Sequence, residues 1–362
     1  MKKILVDAYT NLNFGDDLFL KILFDKYPNV KWILDIKDKT YKDIYKNYNN
    51  VKVKSFLFEF KKKVKRKLKI KEGKNIFNKY DALVFIGGSI FMQNQGWQYR
   101  LNSRKILIKS FIEKKSPFFV IGSNFGPYED KVFLNEYKEI LSKAEDVCFR
   151  DTYSYEKFKE YKNIRVEPDI VFQLKPKNIE KKKKSIGISL IELEDREDLS
   201  KYREIYIKKI KDIIETGVSR GYNFTLFSFC ERQGDLQIIN DVVNLINNEY
   251  KKQISIVNYN GNIEEFLVKF ESMENIIGTR FHACILSQVF SQGLYPIIYS
   301  DKTYNVLKDI GLDKEYTYIR DLDKLDVNYL IDVISSNKLK DSSIFKKAEK
   351  QFEGLDSYFK RN

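Results

Sequence analysis

The feature that most constrains this chain is a repeated unit: a short apolar run, a loop rich in small or polar residues, then a stretch with helical spacing. Residues 3–8 read KILVDA, 82–86 ALVFI, 118–121 FFVI and 146–149 DVCF. Runs this short are strand-length, and an unbroken apolar run marks a strand buried on both faces. After the first run, Asp16 and Asp17 open a stretch with Leu18, Phe19, Ile22 and Leu23, an acidic first turn followed by 3–4 spacing. Helical spacing also covers 104–114 and 131–144. Strands alternating with helices predict an α/β fold built on a doubly wound parallel sheet.

The unit then stops and restarts. Residues 175–184, KPKNIEKKKK, are charged and offer little to pack, so they read as a linker. Beyond it, strands are predicted at 186–190, 224–229, 254–257, 275–278 and 294–298. Helices are predicted at 203–220, 235–249, 262–271 and 282–292. At 362 residues the chain exceeds what one core usually holds. The expected organisation is an N-terminal domain over 1–174, a linker over 175–184, a C-terminal domain over 185–338 and a helical tail over 339–362. Two such domains facing a cleft would present their ligands at the carboxyl ends of the strands.

Composition narrows the chemistry. One His and three scattered Cys (Cys148, Cys230, Cys284) argue against a structural zinc site or a disulfide framework, and no metal is expected. A reducing, cytoplasmic setting follows. The sequence shows no signal peptide and no apolar stretch of about 18 residues, so any membrane contact is expected to be peripheral, at the inner face. The 65 Lys plus Arg exceed the 51 Asp plus Glu by 14, which favours anionic partners. Eight of the basic residues fall within 61–71, in SFLFEFKKKVKRKLKIK. Segment 55–74 reads either as a basic surface for anionic membrane or as a solvated charged stretch. Nucleic acid is a third reading, with charge as its only support and no binding motif beside it.

The candidate site residues sit at strand ends. Gly278-Thr279-Arg280-Phe281-His282 places the chain's only His two residues from an Arg, at the start of a helix. His titrates near neutrality and suits acid–base work, and Arg offers a fork for carboxylate or phosphate. The alternative for His282 is a structural helix cap. Lys302 in the loop after 294–298 is a phosphate ligand or a surface lysine. Arg150, ending 146–149, is an anion ligand or the partner of Asp151 or Glu156. Asn13, Gly15 and Asp16 form a loop that can approach a sugar or simply cap a helix. Gly87-Gly88 matches neither the dinucleotide fingerprint nor the P-loop.

In order along the chain, these pieces resemble the polysaccharide pyruvyl transferase family. They are Asn13-Phe14-Gly15-Asp16-Asp17, Gly87-Gly88, Gly122-Ser123-Asn124-Phe125-Gly126-Pro127, Arg150-Asp151, Asp169 after Pro168, Arg280-Phe281-His282-Ala283, and Pro296 with Tyr299 to Lys302. The resemblance implies a GT-B-like fold. It implies transfer of pyruvate from phosphoenolpyruvate to a sugar of a surface polysaccharide or its lipid-linked precursor, giving a cyclic ketal and phosphate without a cofactor. Arg150, Arg280 and Lys302 would bind the donor, and His282, Arg280 and Asp16 would carry the chemistry. Asn13, Gly15, Asp16, Gly88 and Asn124 would face the acceptor. Ser89 stands where many relatives have a third Gly, and 55–74 is unusually basic; both leave the acceptor open. A nucleotide-sugar glycosyltransferase on the same scaffold is the rival enzyme.

Overall fold

A computed structural model describes residues 1–36, 38–54, 77–196 and 198–361. The chain forms two units. One comprises Met1–Thr10, Leu18–Ile170 and Phe345–Asn362, the other Asn11–Asp17 and Val171–Ile344.

The first unit holds a seven-stranded sheet: β1 (Lys3–Ala8), β2 (Lys31–Asp35), β3 (Val51–Lys54), β4 (Ala82–Ile86), β5 (Phe118–Ser123), β6 (Asp146–Phe149) and β7 (Ile164–Val166). Their order is β3-β2-β1-β4-β5-β6-β7, and every pair is parallel. All five residues of β4 are buried. Parallel strands need crossover helices, which cover both faces and demand apolar side chains on each. Leu83, Phe85, Val120 and Val147 share one core with Phe111, Tyr137 and Ile140 from the helices Trp97–Glu113 and Lys131–Leu141.

The second unit repeats the plan with six parallel strands: β8 (Lys182–Ser189), β9 (Asn223–Ser228), β10 (Ile254–Asn258), β11 (Met273–Gly278), β12 (Gly293–Ile298) and β13 (Thr317–Tyr318). The order is β10-β9-β8-β11-β12-β13. Ile186 and Ile188 share a core with Ile207, Ile210 and Ile214 of the helix Arg203–Ser219 and with Ile238 and Val242 of Asp235–Leu245. In each sheet the direction of winding reverses once, between β1 and β4 and between β8 and β11. Those reversals put a crevice at the strands' carboxyl ends.

Several boundaries differ from the sequence expectation. Segment 11–17 groups with the second unit, although it lies within the first 174 residues. The helix it begins, Phe14–Lys26, continues into the first unit. The expected linker is not free chain. Lys182–Lys184 form the exposed start of β8, and buried Glu271 accepts from the amides of Lys177 (3.1 Å) and Ile179 (3.3 Å). Strand β8 extends past the sheet's apolar zone because β11 starts equally early, so lysines that look like linker still find a ladder.

The tail is not one helix. Ser343–Glu349 and Glu353–Lys360 are separated by a short 3-10 turn, and from Phe345 onward they belong to the first unit. Buried Gln351 holds them there. Its amide accepts from Gly122 N (3.0 Å) and donates to the carbonyls of Phe149 (3.0 Å) and Glu167 (2.6 Å). The basic segment 55–74 lies outside the described residues. Among the described residues no helix is long and apolar enough to cross a membrane.

Candidate functional site

In the second unit, the reversal between β8 and β11 is a braced corner. Ser189, the last residue of β8, receives the amides of Thr279 and Arg280 on its hydroxyl, each at 3.1 Å. Thr279 also shares a hydrogen bond with buried Tyr206 (2.8 Å). Arg280 thereby caps the helix Phe281–Val289 with its backbone fixed.

The Arg280 side chain turns inward. Its Nε donates to Asp235 (2.9 Å), Nη1 to Gln233 (2.6 Å), and Nη2 to the other Asp235 oxygen. Asp235 is fully buried and also accepts from the amides of Phe229 (3.0 Å) and Cys230 (2.9 Å). Burial pulls the guanidinium's pKa down, but the adjacent carboxylate outweighs it, and Arg280 stays charged. A bidentate Arg–carboxylate pair of this kind fixes orientation as well as charge.

Segment 11–17 docks onto the same unit through Phe14. Its ring packs against Phe266 (4.2 Å between centroids), Tyr259 (5.2 Å) and Phe229 (5.3 Å), and its amide donates to the Phe229 carbonyl (2.9 Å). The Tyr259 hydroxyl donates to buried Asp17 (2.7 Å). This anchoring lays Gly15 directly on His282: a Cβ at Gly15 would overlap the imidazole at Nδ1. Asn13 turns back to accept the Gly15 amide (3.1 Å), and Asp16 is half-buried. Asn13, Gly15, Asp16 and His282 therefore come together, with Arg280 two residues away.

Lys302, in the first turn of the helix Asp301–Asp309, lies 5.4 Å from the Phe281 ring and is half-buried. Cys230 lies in the same unit and is buried. Burial pushes its thiol up to about 11, so the thiolate is scarce at neutral pH.

The first unit carries the other predicted residues at the ends of β4, β5 and β6. Arg150 is 2% exposed. It pairs with buried Asp169 (2.7 Å), donates to Asn124 Oδ1 (3.0 Å), and its guanidinium carbon lies 5.8 Å from the Phe19 ring centroid. A Cβ on Gly88 would stand 2.5 Å from Arg150 Nη2. Gly88 is what lets the guanidinium fit. The Asn124 amide donates to the Gly88 carbonyl (2.8 Å), closing the cluster. The partner of Arg150 is thus Asp169, while Asp151 caps the helix Thr152–Glu156 instead.

Both strand-end arginines are therefore matched by buried carboxylates, and Lys302 is the least buried of the three predicted donor cations. Sequence reasoning did not single out Asp235 or Ser189. The only local signal for Asp235 was Gly234-Asp235, an acidic residue opening a helix after a strand-end turn. Among the described residues no group of three or more His, Cys, Asp or Glu is placed to hold a metal ion.

Two doubly wound parallel sheets with strand-end clusters place the chain in the GT-B class. Three solved structures show the same fold over essentially the whole chain. An S. aureus MnaA–UDP structure matches with TM-score 0.60 at 10% identity, covering 99% of this chain and 97% of that one. The UDP-GlcNAc 2-epimerase of Methanocaldococcus jannaschii gives 0.58 at 12% identity, covering 99% and 100%. Anabaena Alr3699/HepE in complex with UDP gives 0.57 at 11%, covering 99% and 98%. The chain belongs to the polysaccharide pyruvyl transferase family, whose model matches residues 13–291. It is 23% identical over 296 residues to the amylovoran biosynthesis protein AmsJ of Erwinia amylovora, covering 76% of this chain and 67% of that protein.

Proposed function

We propose that this transferase moves pyruvate from phosphoenolpyruvate onto two hydroxyls of one sugar in a surface polysaccharide or its lipid-linked precursor. The family gives the reaction class, and AmsJ, named for amylovoran biosynthesis, is in keeping with a polysaccharide acceptor. The observation that carries the chemistry is His282, seated on Gly15 beside Asp16 at the sheet's reversal.

The reaction balances as follows. C3 of the enol gains a proton, the C2–O bond to phosphate breaks, and two C2–O bonds form to the sugar. The two hydroxyls release two protons; one replaces that given to C3 and the other leaves with phosphate. A group that both gives and takes protons near neutral pH is needed, and His282 is the side chain whose ordinary pKa (~6.5) suits it. Asp16 supports the acceptor hydroxyl. Lys302 meets the donor's negative charge. Arg280, locked by Asp235, adds a fixed positive field at the helix start, the arrangement that stabilises a departing anion.

The test is a donor assay with the full chain and a lipid-linked acceptor. Phosphate release from phosphoenolpyruvate with a ketal on the product supports the reading. Nucleotide release from a sugar donor would replace it with glycosyl transfer. Positioned acid–base groups contribute about 10²–10⁴-fold. His282→Ala should lose that much kcat, with an unchanged circular dichroism spectrum. Near-wild-type turnover would remove His282 from the mechanism.

A further inference from the structure

The loops after β4 and β5 enclose an open cavity of about 470 Å³ that the site described so far does not use. It lies entirely within the first unit. Its lining is Gln93 to Gln98, from the loop after β4 and the first turn of the helix Trp97–Glu113, and Pro127 to Glu129 from the loop after β5. In a chain with 32% charged residues, this surface has a single charged lining residue, Glu129. Four of the six residues from Gln93 to Gln98 are carboxamides.

The cavity is also rigidly built. Gln93 Oε1 accepts from the amides of Glu129 (2.8 Å) and Asp130 (2.9 Å), and the Gln93 amide donates to the Pro127 carbonyl (3.0 Å), so the two loops are stitched together. Trp97 packs edge-on against Phe133 (5.3 Å) and Tyr128 is stacked on the same ring (6.1 Å). With Gln93 engaged, Asn94, Gln95 and Gln98 remain exposed on a fixed platform.

Carboxamides donate and accept at once, as sugar hydroxyls do, and they add no charge. A half-buried Tyr offers an apolar ring beside a polar tip. The volume falls in the ~300–1,000 Å³ range of small-molecule sites. A dianionic donor has nothing here to neutralise it. From the juxtaposition of Asn94, Gln95 and Gln98 with Tyr128 at the carboxyl ends of β4 and β5, we infer that this cavity is a binding subsite for a neutral sugar of the acceptor glycan. Only its role as an acceptor subsite rests on the reaction proposed above; sugar binding itself does not.

The two tryptophans make the test specific, because Trp97 lines the cavity and Trp32 is fully buried in β2. The full chain labelled with 5-fluorotryptophan gives two fluorine resonances, assigned with Trp97→Phe. Titration with the methyl glycosides of glucose, galactose and N-acetylglucosamine should move the Trp97 resonance and leave Trp32 in place. Phosphoenolpyruvate and inorganic phosphate should move neither. Gln95→Ala and Gln98→Ala, both at exposed positions, should each weaken the best glycoside by about 2–10-fold, the worth of one hydrogen bond. They should also raise acceptor KM without changing donor KM. A Trp97 resonance unmoved by all three glycosides overturns the subsite, even if phosphoenolpyruvate is consumed. Glycoside binding without pyruvate transfer would leave the subsite standing and refute the reaction.

Discussion

Gly15 leaves no space for a methyl group, because the imidazole of His282 already fills it. The glycine therefore sets how closely the 11–17 segment approaches the proposed acid–base residue. A Cβ at Gly15 would overlap the imidazole Nδ1, so Gly15→Ala must push the imidazole or the segment away by more than an ångström. Misplacement of about 1 Å can cost roughly 10²-fold. Gly15→Ala is expected to lower kcat by at least ~10-fold while the melting temperature falls little, and a variant with full kcat would show that His282 need not sit there. The two arginines call for a different experiment. Removing one partner of a buried pair strands the other charge, at a cost of about 3–5 kcal/mol, whereas replacing both by apolar residues is often neutral. Arg150→Met should therefore unfold at clearly lower urea, and Arg150→Met with Asp169→Leu should recover most of the loss. If Arg150→Met kept wild-type stability and only raised donor KM, the guanidinium would be a ligand rather than a strut. None of this pairing was legible in the sequence. Arg280 and His282 announce themselves as neighbours, but Asp235 lies 45 residues from its arginine and Asp169 lies 19 from its own. A pattern in one dimension shows which residues could be charged, not which charges are already matched.

At the scale of elements, most inner strands were readable for a physical reason. β4, β5 and the apolar part of β8 are buried on both faces, and burial alone dictates unbroken apolar runs. The edge strands β3, β7 and β13 escaped because edges relax that demand, although the edge strand β10 was expected at 254–257 and the inner strand β2, with Trp32, Ile33 and Leu34 buried, was not expected. β3 is VKVK with no fully buried residue, and β13 is two residues long. The helix Trp97–Glu113 was expected to start at 104, since WQYRLNS offers only the single apolar pair Trp97 and Leu101 at helical spacing. Assignment of segment 11–17 to the second unit depends on Phe14 meeting rings at 229, 259 and 266, a distance in sequence that no local pattern reports. The tail makes the same point through Gln351, one side chain serving three backbone groups of the first unit. Leaving a buried polar group unmade costs about 1–3 kcal/mol. Gln351→Leu should thus destabilise that unit by at least ~2 kcal/mol. Hydrogen exchange should report it as faster exchange at the amides of β5 and β6, with β8 and β11 unaffected. Uniform protection in the variant would mean that the tail is not what holds those strand ends.

At the scale of the whole molecule, fold and charge answer different questions. Epimerase and HepE structures superpose over 99% of the chain at 11–12% identity, so the scaffold is shared while the strand-end side chains decide the chemistry. Net charge bears on which anionic surfaces a chain can meet. Of the formal +14, the segment 61–71 supplies eight positive charges, and removing them leaves 14 − 8 = +6. Arg150 and Arg280 each hold a buried carboxylate, Asp169 and Asp235, so the clustered charge of 61–71 is a separate feature from these two pairs. A polybasic stretch near an anionic bilayer gains about 1 kcal/mol per Lys or Arg, and salt screens it over about 10 Å at 0.1 M. Replacing the eight residues by Gln should therefore lower binding to phosphatidylserine vesicles by at least ~10²-fold at low salt, in a sedimentation assay. Phosphate release from phosphoenolpyruvate with a short soluble acceptor should be unchanged. Vesicle binding that survives the substitution would place the attraction elsewhere on the surface, and a loss of soluble turnover would make the segment part of the reaction rather than of its address.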